Sequence, residues 1–83
     1  MKYSFKLSSK SQSFLDGLNK KESLRIIKKL EQIEENPFRY IKHYEGTGYK
    51  LRVGDYRAIL DIDFERKILF VRVLDKRGRI YKK

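Results

Sequence analysis

The residues with the most chemistry in them are cations: Lys50, Arg52, Arg57, Arg72, Lys76, Arg77 and Arg79 fall between positions 50 and 79, with Tyr40, Tyr44, Tyr49, Tyr56 and Tyr81 among or beside them. Basic groups attract phosphates, and tyrosine rings offer stacking surfaces to unpaired bases, so this mixture favours single-stranded RNA over duplex. RNA carries its own nucleophile in the 2′-hydroxyl. A protein that orients this oxygen, takes its proton, stabilises the phosphorane and protonates the leaving 5′-oxygen therefore cleaves the chain without a metal. Arginine is a poor base but its forked donors suit the phosphorane, whereas a lysine crowded by other cations gives up its proton more readily. Lys50 is accordingly the candidate base. Arg57 and Arg77 are the candidates for charge stabilisation, with Arg77 or Tyr81 as the proton donor or the group that holds the nucleotide. Arg52, Lys76, Arg79 and Tyr44 are candidate RNA contacts.

Other residue types support weaker readings. An unperturbed imidazole has its pKa near neutrality, so the single histidine, His43, is a candidate for acid–base chemistry, but metal-free ribonucleases pair such a group with a second of matched pKa. Asp61, Asp63 and Glu65 alternate along the chain, yet read better as a solvated strand end and turn than as metal ligands; no metal site is expected. Tyr3, Tyr49 and Tyr56 sit in alternating apolar segments and belong to the core or its boundary. Lys20, Lys21, Lys28 and Lys29 form a solvated helix face that can also touch ribosomal RNA phosphates.

Elements that position the cations follow from periodicity. Residues 2–7 alternate, with Tyr3, Phe5 and Leu7 on one face of a strand. Ser8 and Ser9 offer N-cap hydroxyls to a short helix presenting Phe14, Leu15 and Leu18, which weakens at Gly17 and Asn19. Residues 20–35 form a second helix with Leu24, Ile27, Leu30 and Ile33 as its apolar stripe, ended by Asn36-Pro37. Residues 38–47 read as a loop. Residues 49–53 and 56–62 are strands joined by a Gly54-Asp55 turn, residues 68–74 make an apolar central strand, and a tail strand ends near Tyr81. The order predicts an α+β domain, both helices on one face of an antiparallel sheet and the other face open. Tyr49, Leu51 and Val53 share one face, which puts Lys50 and Arg52 on the other.

With 83 residues the chain holds one domain, 1–83, and without cysteine it has neither a disulfide framework nor a thiolate metal site. No stretch reaches the roughly 18 apolar residues of a membrane span, and no signal-peptide run opens the chain; a cytoplasmic protein without a membrane partner is expected. The formal charge of +10 predicts a polyanionic partner, although it also serves solubility.

The element order, the stretch Tyr49-Lys50-Leu51-Arg52-Val53-Gly54-Asp55-Tyr56-Arg57, and Asp75-Lys76-Arg77-Gly78-Arg79 ahead of Tyr81 together resemble RelE, of the RelE/ParE toxin superfamily, and especially its short archaeal-type members. The resemblance covers nearly the whole chain. It implies an N-terminal strand, a two-helix hairpin and an antiparallel meander of three to four strands. The implied activity is that of a ribosome-dependent mRNA interferase, the toxin of a type II toxin–antitoxin pair. Such a toxin is a metal-independent endoribonuclease without cofactor that cleaves A-site mRNA by 2′-hydroxyl attack and so inhibits translation. The implied partners are a cognate RelB-like antitoxin, mRNA, and the ribosome with its rRNA. In this resemblance Lys50, Arg57 and Arg77 fall on the family's catalytic cations, Arg52 and Arg79 on nearby basic positions, and Tyr81 on the C-terminal tyrosine. Gly48 stands where some members place another catalytic lysine, and the segment from Arg77 to Tyr81 is shorter. ParE members, which poison DNA gyrase, share the central stretch, so a gyrase inhibitor stands as the alternative beside a non-catalytic RNA-binding module.

Overall fold

The computed structural model describes residues 2–46 and 48–76. In chain order they form β1 (Ser4–Leu7), α1 (Ser9–Asp16), α2 (Lys20–Ile33), a short 3-10 turn (Pro37–Arg39), β2 (Ile41–His43), β3 (Gly48–Val53), β4 (Tyr56–Asp63) and β5 (Ile68–Lys76). The expected α+β architecture is present. Its five strands lie in the order β1-β5-β4-β3-β2. The meander from β2 to β5 is antiparallel throughout, and β1 joins it parallel to β5.

Local chemistry explains where each helix begins. The Ser8 hydroxyl accepts from the Ser11 amide at 3.1 Å and donates to the Arg72 carbonyl at 2.8 Å, so one side chain caps α1 and ties it to β5. Asn19, which reads in the sequence as the frayed end of α1, is instead the cap of α2. Its side-chain oxygen accepts from the Glu22 amide at 2.8 Å, a partner three residues on, as in a capping box. At the other end of α2, Glu34 accepts from the Tyr3 amide through its carbonyl and from the Phe5 amide through its carboxylate. Those two bonds blunt the outer edge of β1.

Both helices cover one face of the sheet. Leu15 of α1 and Ile26, Leu30 and Ile33 of α2 pack with Leu51, Val53, Tyr56, Ala58, Leu60, Leu69, Val71 and Leu74 in one hydrophobic cluster. The stripe on α2 is rotated from the expected one. Ile26 is fully buried, Ile27 only partly, and Leu24 is 48% exposed. Spacing alone admits either phase, because Leu24, Ile26, Ile27 and Leu30 satisfy helical periodicity from two adjacent starting points.

Two departures from the expected strands matter for the site. The segment expected as a loop contains β2, whose Ile41 pairs with Leu51, Lys42 with Lys50 and His43 with Tyr49. Between β4 and β5 a bulge shifts the register: Ile59 pairs with Val73 and Leu60 with Val71, leaving Arg72 as the extra residue. Two consecutive residues, Arg72 and Val73, thus stand on the face opposite the helices. Beyond them the alternation of β5 is inverted.

Ile26→Ala is expected to lower the unfolding free energy by roughly 2–5 kcal/mol, the range for truncating a buried aliphatic chain. Leu24→Ala is expected to change it by less than about 0.5 kcal/mol. Denaturant titration of the two variants checks this, and equal losses would contradict the rotated stripe.

Candidate nucleic-acid interface

Register carries the site. On the face opposite the helices, Lys42 of β2 pairs with Lys50 of β3, and Arg52 of β3 pairs with Arg57 of β4. These four cations, with Tyr40 and Leu51, line a cleft of ≈ 360 Å³. Side chains directly opposite on neighbouring strands have Cβ atoms about 4.5–5.5 Å apart, and like charges so placed are destabilising. Core packing on the other face must offset that repulsion, since a slip of one residue would turn Leu51 and Val53 outward.

Arg57 is held by the backbone. Its Nη1 donates to the carbonyls of Gly54 at 3.2 Å and Tyr56 at 3.1 Å, both in or beside the β3–β4 turn. The turn is held in place as well. Gly54 has φ +59°, a conformation open to glycine, and Arg25 of α2 lies so close that a Cβ there would meet its Nη2 at 2.6 Å. Arg25 in turn pairs with Glu22 at 3.7 Å. Burial, and then the Glu22 carboxylate that its hydroxyl bonds, raise the Tyr56 pKa above 10.0. The phenol is therefore protonated at neutral pH. A group with a raised acid pKa stabilises the fold fully below its unfolded value, and this contribution is lost only as pH climbs beyond about 10.

The remaining sequence candidates fall in different places. Lys50, Arg52 and Arg57 are brought together as expected. Lys42 joins them unannounced, because a three-residue strand is too short for alternation to be legible. Lys76 does not join them: it pairs with Tyr56, on the helix side of the sheet, because the bulge at Arg72 inverts the end of β5. Tyr44 follows β2 directly, and its amide donates to the Gly48 carbonyl at 2.9 Å. His43 shares the helix side with its partner Tyr49, edge-on to that ring at 5.8 Å, and its Nε2 lies 2.8 Å from the Gly46 carbonyl. The histidine thus belongs to the face away from the cleft. Asp61 pairs with Arg72 at 3.1 Å, while the Asp63 carboxylate accepts from the amides of Glu65 and Arg66 within its turn. Arg77, Arg79 and Tyr81 lie outside the described residues, as does the tail strand.

A basic cleft on the sheet face that neither described helix covers agrees with the fold that the sequence resembles. Residues 6–80 match the ParE toxin of type II toxin–antitoxin systems, and the chain belongs to that family, within the RelE/ParE superfamily of toxins. No curated protein matches the sequence significantly. Among solved structures, the archaeal RelE–RelB complex from Pyrococcus horikoshii OT3 is 28% identical, with a TM-score of 0.81 over 95% of this chain and 99% of that one. The toxin–antitoxin complex RelBE2 from Mycobacterium tuberculosis gives a TM-score of 0.84 at 18% identity, over 93% of this chain and 100% of that one. The intact E. coli RelBE complex gives 0.73 at 22%, over 93% and 99%. Likeness to the last two is one of fold. Among the described residues, no helix is long and apolar enough to cross a membrane.

Lys42→Glu replaces a repulsive cross-strand pair by an attractive one. It is expected to raise stability by a few tenths to about 1 kcal/mol at low ionic strength, and the gain should shrink as salt screens it. Thermal melts at two salt concentrations check this; a loss of stability would show that the pair is not repulsive.

Proposed function

We propose that this toxin is a ribosome-dependent mRNA interferase, and the observation that carries the reading is the convergence of Lys42, Lys50, Arg52 and Arg57 on one cleft. Four cations held at a cost in stability fit a polyanionic substrate, and a cleft between strands fits an unpaired chain better than a duplex. Lys50 takes the proton of the 2′-hydroxyl. That oxygen forms a bond to the adjacent phosphorus while the bond from phosphorus to the 5′-oxygen breaks, leaving a 2′,3′-cyclic phosphate on one fragment and a 5′-hydroxyl on the other. Arg57, fixed by two carbonyls through Nη1, stabilises the phosphorane with the rest of its guanidinium. Arg77 adds charge, and Arg77 or Tyr81 returns a proton to the 5′-oxygen.

The partners in this reading are mRNA in the ribosomal A site, the surrounding rRNA, and an antitoxin. A RelB-like antitoxin is supported by the structural neighbours, since all three described above are toxin–antitoxin complexes. An acidic segment that orders on binding would complement the basic face.

One observation favours a second reading: the matching family is described by ParE, so inhibition of DNA gyrase is the alternative. Primer extension on mRNA in programmed ribosomes, run beside a gyrase supercoiling assay, separates the two. Cleavage at the A-site codon is expected, with 2′,3′-cyclic phosphate ends, and Lys50→Ala and Arg57→Ala should each slow it at least about 100-fold. Intact mRNA together with inhibited supercoiling would move the assignment to gyrase.

A further inference from the structure

Beside the cleft, on the same face, lies a second row of residues. Gly48 of β3 pairs with Asp61 of β4, Asp61 with Phe70 of β5, and Phe70 with Lys6 of β1. Phe70 is 39% exposed although it lies in an interior strand. Arg72, two residues on, shares this face by ordinary alternation, and the bulge, of which it is the extra residue, adds Val73 to it. The Arg72 guanidinium bends back across the row. Nε meets Asp61 at 3.1 Å, and Nη2 comes within 3.5 Å of the place a Cβ would occupy at Gly48. Arg72 thus packs beside the Gly48 backbone, and Asp61 holds the fork by one edge.

We infer that Phe70, Arg72 and Lys6 form a second nucleotide subsite of the same interface, with the Phe70 ring stacking on a base and Arg72 and Lys6 contacting the phosphates beside it. The inference rests on the RNA reading of the cleft and extends it by naming where the strand continues. From Lys50 to Phe70 the path crosses two strands and two residues, roughly 12 Å at ordinary sheet spacings. A chain of a few nucleotides spans that. An exposed aromatic ring flanked by cations on an open sheet face is the arrangement that grips unpaired bases without regard to sequence. An acidic peptide would use the charges but has no flat base to place on the ring. Beside Gly48, read from the sequence as a missing cation, the Arg72 guanidinium supplies one.

The test exploits the absence of tryptophan from the chain. Phe70→Trp places a single indole on the ring position, and Phe64→Trp places one at an exposed ring stacked on Phe38, beside the helix-side Tyr49. Each folded full-length variant is titrated with a 2′-O-methyl single-stranded oligonucleotide, which binds but lacks the nucleophile. Emission from the indole at position 70 is expected to be quenched and that at 64 to be unchanged. Phe70→Ala is expected to weaken binding roughly 5- to 30-fold. Arg72→Ala is expected to lower the slope of log affinity against log salt by about 0.7. If Lys50→Ala and Arg57→Ala weaken binding while Phe70→Ala and Arg72→Ala do not, the second subsite is wrong and the cleft stands. Quenching as full with an abasic oligomer or with polyglutamate would also overturn it, since neither supplies a base. Failure of the unmodified toxin to bind, or indifference to Lys50→Ala and Arg57→Ala, would overturn the reading of the cleft as well.

Discussion

Two pairs of like charges facing each other across neighbouring strands, Lys42 with Lys50 and Arg52 with Arg57, set the terms for the rest of the molecule. Such pairs lower stability wherever they occur in a sheet, and a chain with a formal charge of +10 has repulsion to spare. The register that creates them is held from the opposite face. Ile41, Leu51, Val53 and Ala58 are buried there, and because side chains alternate strictly along a strand, any slip that relieved the cations would expose this apolar set. The core does not just make the fold stable; it forces the cations together.

Anchoring follows the same logic. The Arg57 side chain is tied to the backbone, and its tie runs to the β3–β4 turn, which Arg25 of α2 abuts at Gly54. Glu22, beside Arg25, acts on the Tyr56 hydroxyl and helps to raise its pKa. A helix on one face of the sheet thus steadies a guanidinium at the edge of the other. Phosphate recognition by a fork of fixed orientation benefits from such preorganisation, because less rotamer freedom is lost on binding.

Much of this was legible in the sequence. Alternation in residues 49–53 placed Lys50 and Arg52 opposite Leu51 and Val53, and the Gly54-Asp55 turn delivered Arg57 to them, so the centre of the cleft followed from period two and one hairpin. The order of strand, helix pair and meander was readable for the same reason. What escaped was whatever a single residue decides. A bulge at Arg72 carries no local signal, yet it sends Lys76 to the helix side. The three residues of β2 are too few to show alternation, so in the sequence Lys42 reads as part of a loop. On α2 the phase of the stripe depended on Ile26 over Leu24, a choice that tertiary packing makes and helical spacing does not.

The central claim is that the face opposite the helices, centred on the cleft, is where single-stranded RNA binds. Backbone amide resonances followed during titration with an uncleavable single-stranded RNA test it most directly. The account predicts that shifts concentrate on Lys42, Lys50, Arg52 and Arg57, while Lys21, Arg25 and Lys28 of α2 stay still. Shifts concentrated on α2, with the cleft amides unmoved, would contradict it.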